Sequence, residues 1–258
     1  MGFERPAVMR FDVPFQADAP PLLSQDAGIT GLMERRATSH SIDVTLLDTA
    51  DDRLLRAGVV LAHRVLGGEG DWYLAAPGWA PYLPQECIIP IGATAELPQE
   101  FADLTRPLVR RAVLGPVAAL ECQRTEYLLR GPDGDLGAIR DERVTVRQGG
   151  VMTSRYREST LTSASQLSEQ QVRHVRAALD AVSATAVDEF PALQQRLGAP
   201  ATGGTDFPEP APPDREATME AFVTRLFATD LHALVRAQYR SQEAVTAALQ
   251  EVPQTPGR

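Results

Sequence analysis

Residues 41–77 read SIDVTLLDTADDRLLRAGVVLAHRVLGGEGDWYLAAP, and this stretch decides the fold. Its first part, residues 41–48, is rich in apolar and β-branched residues and predicts a strand. Residues 59–66 and 72–76 are two more β-rich runs separated by a Gly-rich turn, which predicts a hairpin. The stretch therefore indicates a strand followed by a hairpin.

Four side chains in this stretch have a structural interpretation. Asp48 and Thr49 follow the first strand and are expected to cap or turn the chain there. His63 shares the apolar face of the first hairpin arm with Leu61, and this favours packing over a role as a base. Trp72 is expected to fill the core of the hairpin. These interpretations give the four side chains structural roles and no catalytic or binding role.

The chain on both sides of the hairpin continues the pattern. Turn signals at residues 131–134 and 149–150 separate β-rich runs, and such spacing predicts an antiparallel meander. Helical periodicity and a capping serine, Ser168, predict helices elsewhere. The predicted strands are residues 7–15, 117–130, 136–147 and 151–162, and the predicted helices are residues 98–114, 168 onward, 189–197 and 215–249.

Composition limits the classes of function. The chain has 258 residues and a formal charge of -9, which argues against binding to duplex nucleic acid, since such binding needs a basic face. Its 25 basic residues are all arginine, so any anion must be held by arginine, histidine or backbone donors. We see no signal peptide and no apolar run long enough to span a membrane, and we expect a cytoplasmic protein with reduced thiols at Cys87 and Cys122.

The order of these elements resembles the CYTH family, which includes class IV adenylyl cyclases, thiamine triphosphatases and inorganic triphosphatases. The likeness covers roughly residues 7–197. Its marks are the segments Leu47-Asp48-Thr49, Gly58, Trp72-x-Leu-x-x-Pro77, Arg124, Asp141-Glu142-Arg143-Val144 and Tyr156-Arg157-Glu158. The resemblance implies an antiparallel barrel with a central tunnel, in which acidic side chains hold a divalent metal and basic ones hold a triphosphate.

This resemblance implies an α+β fold, an antiparallel β-barrel with flanking helices, and the Gly-, Pro- and Ala-rich residues that follow it predict a separate C-terminal helix. Residues 1–198 would form the barrel domain, residues 199–213 a Pro/Gly-rich linker, and residues 214–258 an amphipathic helix and tail. A long amphipathic helix must dock on something, whether the main domain, a partner or a second copy. Residues 232–240 also show a faint similarity to the signature of the helical CHAD module, which is linked to polyphosphate. Two basic positions of that signature are not basic in this sequence.

Few of the charged residues that line the tunnel in the CYTH family have a charged counterpart in this sequence. Arg64 and Arg124 are the candidate phosphate-binding residues, and Glu142 and Glu158 are the candidate metal ligands, for Mg or Mn if the protein is active. Ala62 and Ala75 replace basic residues, and Thr160 and Thr162 replace acids. The family's acidic first strand falls on Ala7, Met9 and Phe11, or in the other register on Arg10, Asp12 and Pro14.

The lost charges favour a degenerate member without catalytic residues, which binds phosphate or polyphosphate or acts as a protein-interaction module. The alternative is an active, metal-dependent triphosphate phosphohydrolase with a rearranged site. Each candidate also has a plain structural interpretation, in which Arg64 and Arg124 pair with carboxylates, and Glu142 and Glu158 belong to internal ion pairs. The expected partners are a triphosphate or polyphosphate anion and, through the C-terminal helix, a protein or a second copy, with no duplex nucleic acid and no membrane.

Overall fold

A computed structural model describes residues 8–92, 95–163, 167–207 and 218–250, with side chains in the last range described as far as Tyr239. Ala7, the predicted linker beyond Phe207 and the predicted start of the last helix at Arg215 lie outside the described residues.

The predicted strands and hairpin are confirmed, and shorter strands that the sequence pattern did not predict join them. The described residues contain ten strands, namely β1 (Val8–Val13), β2 (Gly31–Glu34), β3 (His40–Asp48), β4 (Val60–Leu66), β5 (Glu69–Ala75), β6 (Glu86–Pro90), β7 (Gly115–Gly131), β8 (Gly134–Gln148), β9 (Val151–Ser163) and β10 (Thr185–Val187). Gly67 and Gly68 both adopt positive φ between β4 and β5, which explains why the hairpin turn is glycine-rich.

Helices connect and flank these strands. They are α1 (Arg53–Arg56), α2 (Gln99–Val109), α3 (Glu169–Asp180), α4 (Leu193–Leu197) and α5 (Met219–Gln250). Ser168 caps α3 as predicted, because its side chain accepts from the backbone N–H of Gln171 while the Gln171 side chain accepts from the Ser168 backbone. Helix α2 ends two residues after Pro107, five residues earlier than the sequence predicted.

The sheet has the strand order β10-β1-β9-β8-β7-β3-β4-β5-β6, with β2 paired to β7. Strand β9 pairs antiparallel with both β1 and β8, β8 with β7, and β5 with β6. The α+β antiparallel architecture predicted from the sequence is therefore confirmed. The strand order has β10 and β6 at its two ends, so the sheet is not a strictly closed barrel.

The chain divides into two compact units. Unit 1 contains residues 1–45, 64–70 and 118–197. Its core lies between one face of β1, β8 and β9 and helix α3, and the loop before β2 completes it. The buried members include Phe11, Val13, Leu22, Ile139, Leu161, Val175 and Leu179.

Unit 2 contains residues 46–63, 71–117 and 198–258. Its core includes Trp72 and Trp79, and α5 contributes Val235 and Tyr239 to it. The C-terminal helix is therefore not separate, since it packs on its own unit, the first of the three docking alternatives. Phe207, within the predicted linker, is also buried in this core. None of the described helices is long and apolar enough to span a membrane.

The structural interpretations of the hairpin residues are confirmed. His63 contacts the ring of Trp72, with centroids 5.4 Å apart, and Trp72 is buried. Arg157 is buried, with 4% of its surface exposed, because it lies under the loop before β2. Its Nε donates to Asp141 Oδ1 at 2.8 Å and its Nη1 donates to the Ala17 carbonyl at 2.6 Å.

Candidate functional site

Charged side chains form two rows across four neighbouring strands of unit 1. The first row has Arg124 in β7 opposite Glu142 in β8, Glu142 opposite Glu158 in β9, and Glu158 opposite Asp12 in β1. Residues in register on adjacent strands point to the same face. One arginine and three carboxylates therefore share a line across the sheet.

The second row lies two residues along each strand and hence on the same face. It runs from Glu126 through Arg140 and Thr160 to Arg10. Charges of opposite sign thus alternate both across and along β7 and β8. We call this surface the charged face, and its members are Arg10, Asp12, Arg124, Glu126, Arg140, Glu142, Glu158 and, from α4, Arg196.

The opposite face of the same strands is the one that packs on α3. Phe11 and Val13 point into that core, and they alternate with Arg10 and Asp12. The charged face is therefore the side of the sheet that α3 does not cover.

Glu142 is the most heavily paired carboxylate of the charged face. Its Oε1 accepts from Arg124 Nε at 2.8 Å and lies 2.7 Å from Arg124 Nη2. Its Oε2 lies 3.1 Å from Arg140 Nε. Because the Glu142 side chain is only 17% exposed, these ion pairs are screened less than surface pairs. Both oxygens of Glu142 are thus held by arginine.

Arg196 holds Glu158 from the short helix α4. Its Nη2 donates to Glu158 Oε1 at 2.9 Å and lies 3.8 Å from Asp12 Oδ1, while its guanidinium stacks 4.3 Å from the ring centre of Tyr156. A cavity of about 290 Å³ opens beside Asp12, Tyr156 and Arg196. One arginine therefore bridges two carboxylates at the edge of a space large enough for a phosphoryl group.

Burial shifts the pKa values on the charged face. Desolvation is the largest effect on Glu158, and with Glu142 and Asp12 nearby it raises the pKa of Glu158 although Arg196 lowers it. An acid with a raised pKa in the folded state stabilises the fold below its unfolded pKa and loses that contribution as pH rises. Burial and Glu142 raise the pKa of the Cys122 thiol to about 11, so this cysteine stays protonated at neutral pH.

Comparison with known proteins finds distant relatives. No family model matches the chain. Two uncharacterized proteins of Mycobacterium tuberculosis strains are each 27% identical to it over 118 residues, which is 45% of this chain and 23% of the relative. The match therefore spans less than a quarter of the length of these curated relatives.

Two solved structures are reported as similar to this chain. A proposed adenylate cyclase of Bacillus halodurans is 17% identical with a TM-score of 0.43, over 77% of this chain and 100% of that chain. A proposed adenylyl cyclase of Hippeastrum, described as having a dominant triphosphatase activity, is 12% identical with a TM-score of 0.36, over 73% and 92%. At these values the likeness says nothing of the activity or site of this chain.

The structure brings together three of the four candidate residues that the CYTH resemblance implied. Arg124, Glu142 and Glu158 form consecutive members of one row. Arg64 is half-buried in β4, which β3 separates from β7, so two strand spacings or roughly 10 Å lie between the two strands. The roles assigned to the four residues stay predictions.

The structure also shows which of the two alternative sets of first-strand residues lies on the charged face. Of the two alternatives, the one with Arg10 and Asp12 lies on the charged face, while Phe11 points into the core. Pro14 is the third residue of that alternative, and it follows Val13, the last residue of β1. Strand β1 thus adds one carboxylate and one arginine to the face.

The carboxylates of the charged face do not fit a divalent metal in the arrangement that the structure shows. Mg²⁺ and Mn²⁺ prefer carboxylate oxygens, and here the oxygens of Glu142 and one oxygen of Glu158 accept from arginines. Among the described residues, no three His, Cys, Asp or Glu side chains come together in a way that could hold a metal ion.

Sequence reasoning missed Arg140 and Arg196. Charged residues two apart, such as Arg124 with Glu126 and Arg140 with Glu142, are a visible sign of a charged strand face and could have revealed Arg140. Arg196 has no such sign, because it lies in a helix 38 residues after Glu158 and reaches the site only through the fold.

Proposed function

We propose that the charged face binds a phosphate-rich anion, a triphosphate or polyphosphate, and that the protein turns it over poorly or not at all. The supporting observation is the pairing of Arg124, Arg140 and Arg196 with Glu142 and Glu158. Arginine forks match phosphate oxygens as well as carboxylates, so an incoming anion can exchange for the glutamates. The carboxylates keep the arginines neutralised until then.

The same pairing explains why turnover should be impaired. Phosphoryl transfer depends on metal ions that bridge the phosphate oxygens and neutralise the developing charge. Carboxylates that already accept from arginine must break those bonds before they can bind a metal. The site therefore favours holding an anion over activating it.

Arg124→Ala tests the binding site. Removing charge-assisted hydrogen bonds worth about 1.5–3 kcal/mol should weaken tripolyphosphate binding about tenfold to a hundredfold, as measured by isothermal titration calorimetry. Arg147→Ala is the matched control, because Arg147 is exposed in β8 and alternates to the other side of the strand from Glu142. Equal affinities in the two variants would count against the charged face as the binding site.

A phosphate-release assay in the presence of Mg²⁺ or Mn²⁺ separates binding from the alternative, an active triphosphatase with a rearranged site. The observation that favours this alternative is that Asp12, Glu142 and Glu158 lie in register on three adjacent strands. Metal-dependent release that disappears in Glu158→Ala would establish the alternative. Release no faster than without protein would leave binding as the function.

A second candidate function is protein interaction through α5. Its buried residues Ala228, His232, Val235 and Tyr239 lie on one side of the helix. The opposite side is an apolar stripe in which every side chain is at least 40% exposed. The stripe consists of Met219, Phe222, Val223, Leu226, Phe227 and Leu234. We propose that this stripe pairs with a second copy of the chain, since exposed apolar patches of this kind mark interaction sites.

The double variant Phe222→Glu, Phe227→Glu tests this stripe. We expect wild-type protein to scatter light as more than one 28.0 kDa chain and the variant as one chain, because buried glutamates would oppose the pairing. Thr229→Glu is the control, since it adds charge on an exposed flank of the same helix. A wild-type mass of one chain at every concentration would contradict self-association.

A further inference from the structure

A second cavity lies in unit 2 and shares no residue with the charged face. Its volume is about 280 Å³. Three aromatic rings and three basic side chains line it, contributed by α1, the turn at residues 77–82, the segment at residues 205–207 and α5. These six are Trp79, Tyr82, Phe207, Arg56, His232 and Arg236.

His232 is the decisive side chain of this cavity. It is 5% exposed, and its ring stacks on Trp79 with centroids 5.6 Å apart and planes at 2°. Its Nε2 lies 2.8 Å from the Phe207 carbonyl oxygen, which can only accept, so Nε2 carries the hydrogen. Its Nδ1 is buried and has no hydrogen-bond partner among the described residues. A buried imidazole nitrogen without a partner costs stability unless something binds to it.

Arg56 provides a second buried polar atom without a partner. Its Nη2 donates to Asp206 Oδ1 at 3.1 Å, which fixes the guanidinium, while within the described part of the chain its Nε is buried and unpaired. Asp206 is shared with Arg110, whose Nη1 lies 3.5 Å from Oδ2. The Asp206 carboxylate is therefore divided between two arginines, and Arg56 Nη2 also lies 3.7 Å from Asp51 Oδ2.

Arg236 lies at the mouth of the cavity. Its guanidinium sits 5.6 Å from the ring centre of Tyr82, and the residue is exposed. A cation–π contact at an exposed site is weak, so the side chain can turn towards an anion at little cost. Arg56, His232 and Arg236 thus line the cavity together with three aromatic rings.

We propose that this cavity is a second binding site, for a small oxyanion that carries one phosphate or carboxylate group. Arg56 Nε–H and a protonated His232 Nδ1–H would donate to the oxyanion, and Arg236 would close over it. The volume of about 280 Å³ lies just below the roughly 300–1,000 Å³ typical of small-molecule sites, which suits a small oxyanion.

Titration calorimetry with inorganic phosphate tests the site. The Arg124→Ala background weakens the charged face, so that the heat reports on the cavity. We expect Arg236→Gln and Arg56→Met each to weaken phosphate binding about tenfold, the loss of one charge-assisted hydrogen bond. Arg225→Gln, on the same helix but outside the cavity, should change nothing. Equal affinity in Arg236→Gln and Arg225→Gln would overturn the proposal.

Nitrogen-15 NMR of the imidazole groups provides a second, direct measurement. The signal of His232 is assigned by its loss in His232→Gln. On saturation with phosphate, its Nδ1 resonance should move from the range of an unprotonated nitrogen to that of a protonated one. A resonance that does not move would contradict the site, whatever the affinity of the charged face. Binding to the charged face with an unmoved His232 signal would uphold the proposed function alone.

Discussion

Asp48→Ala should lower the free energy of unfolding by about 3 kcal/mol, the cost of leaving several buried donors without an acceptor. Asp48 is 1% exposed at the end of β3. Its Oδ1 accepts from the backbone N–H of Thr49 at 2.6 Å and of Leu54 at 2.9 Å, and its Oδ2 accepts from that of Leu55 at 2.8 Å. One carboxylate thus satisfies the start of α1, where the four first N–H groups lack partners within the helix.

Urea denaturation at pH 7 measures this effect, with Asp43→Ala as the control, because Asp43 is exposed in the same strand. Burial raises the pKa of Asp48 although the three N–H donors lower it. The folded state therefore binds the proton more tightly than the unfolded state, and the stability that Asp48 provides declines as pH rises. Asp48→Asn should lose this pH dependence. A loss in Asp48→Ala no larger than that in Asp43→Ala would contradict the capping role.

Arg157→Met is expected to cost about 3–5 kcal/mol, the range for breaking a buried ion pair by removing one partner. Arg157 is 4% exposed and Asp141 is 14% exposed, so the carboxylate left behind would stay desolvated. The substitution also removes the donor to the Ala17 carbonyl, which ties the loop before β2 to the sheet. The loss should therefore appear in global stability and in faster proteolysis of that loop.

Two further variants separate the charge from the packing. Arg155→Met changes an exposed arginine on the same strand and should cost less than 0.5 kcal/mol. The double variant Arg157→Met, Asp141→Leu should recover much of the lost stability, because removing both partners leaves no unpaired charge. A double variant as unstable as Arg157→Met would assign the effect to lost packing. Thermal and urea unfolding monitored by circular dichroism distinguish these outcomes.

The sequence predicted most of the elements because their signals are local. Alternation and Gly-rich turns marked β4, β5, β7, β8 and β9, and Ser168 marked the start of α3. The strands β2, β6 and β10 were missed since each has five residues or fewer, too short for a periodic pattern to emerge. They form because a neighbouring strand supplies hydrogen bonds, and a window of sequence does not contain that neighbour.

The charged face also depends partly on the local sequence and partly on the tertiary structure. The amino-acid sequence alone shows which charged residues are available. They are arginines without lysine, single acids where a CYTH protein has several, and charged residues two apart on the strands. Only the tertiary structure decided which of them meet, because β-strand register and helix placement join residues far apart in sequence. Thus Glu142 lies opposite both Arg124 and Glu158, and Arg196 reaches Glu158 from α4. The pattern at residues 41–77 therefore predicted a strand and a hairpin, while long-range pairing determined the electrostatics of the charged face.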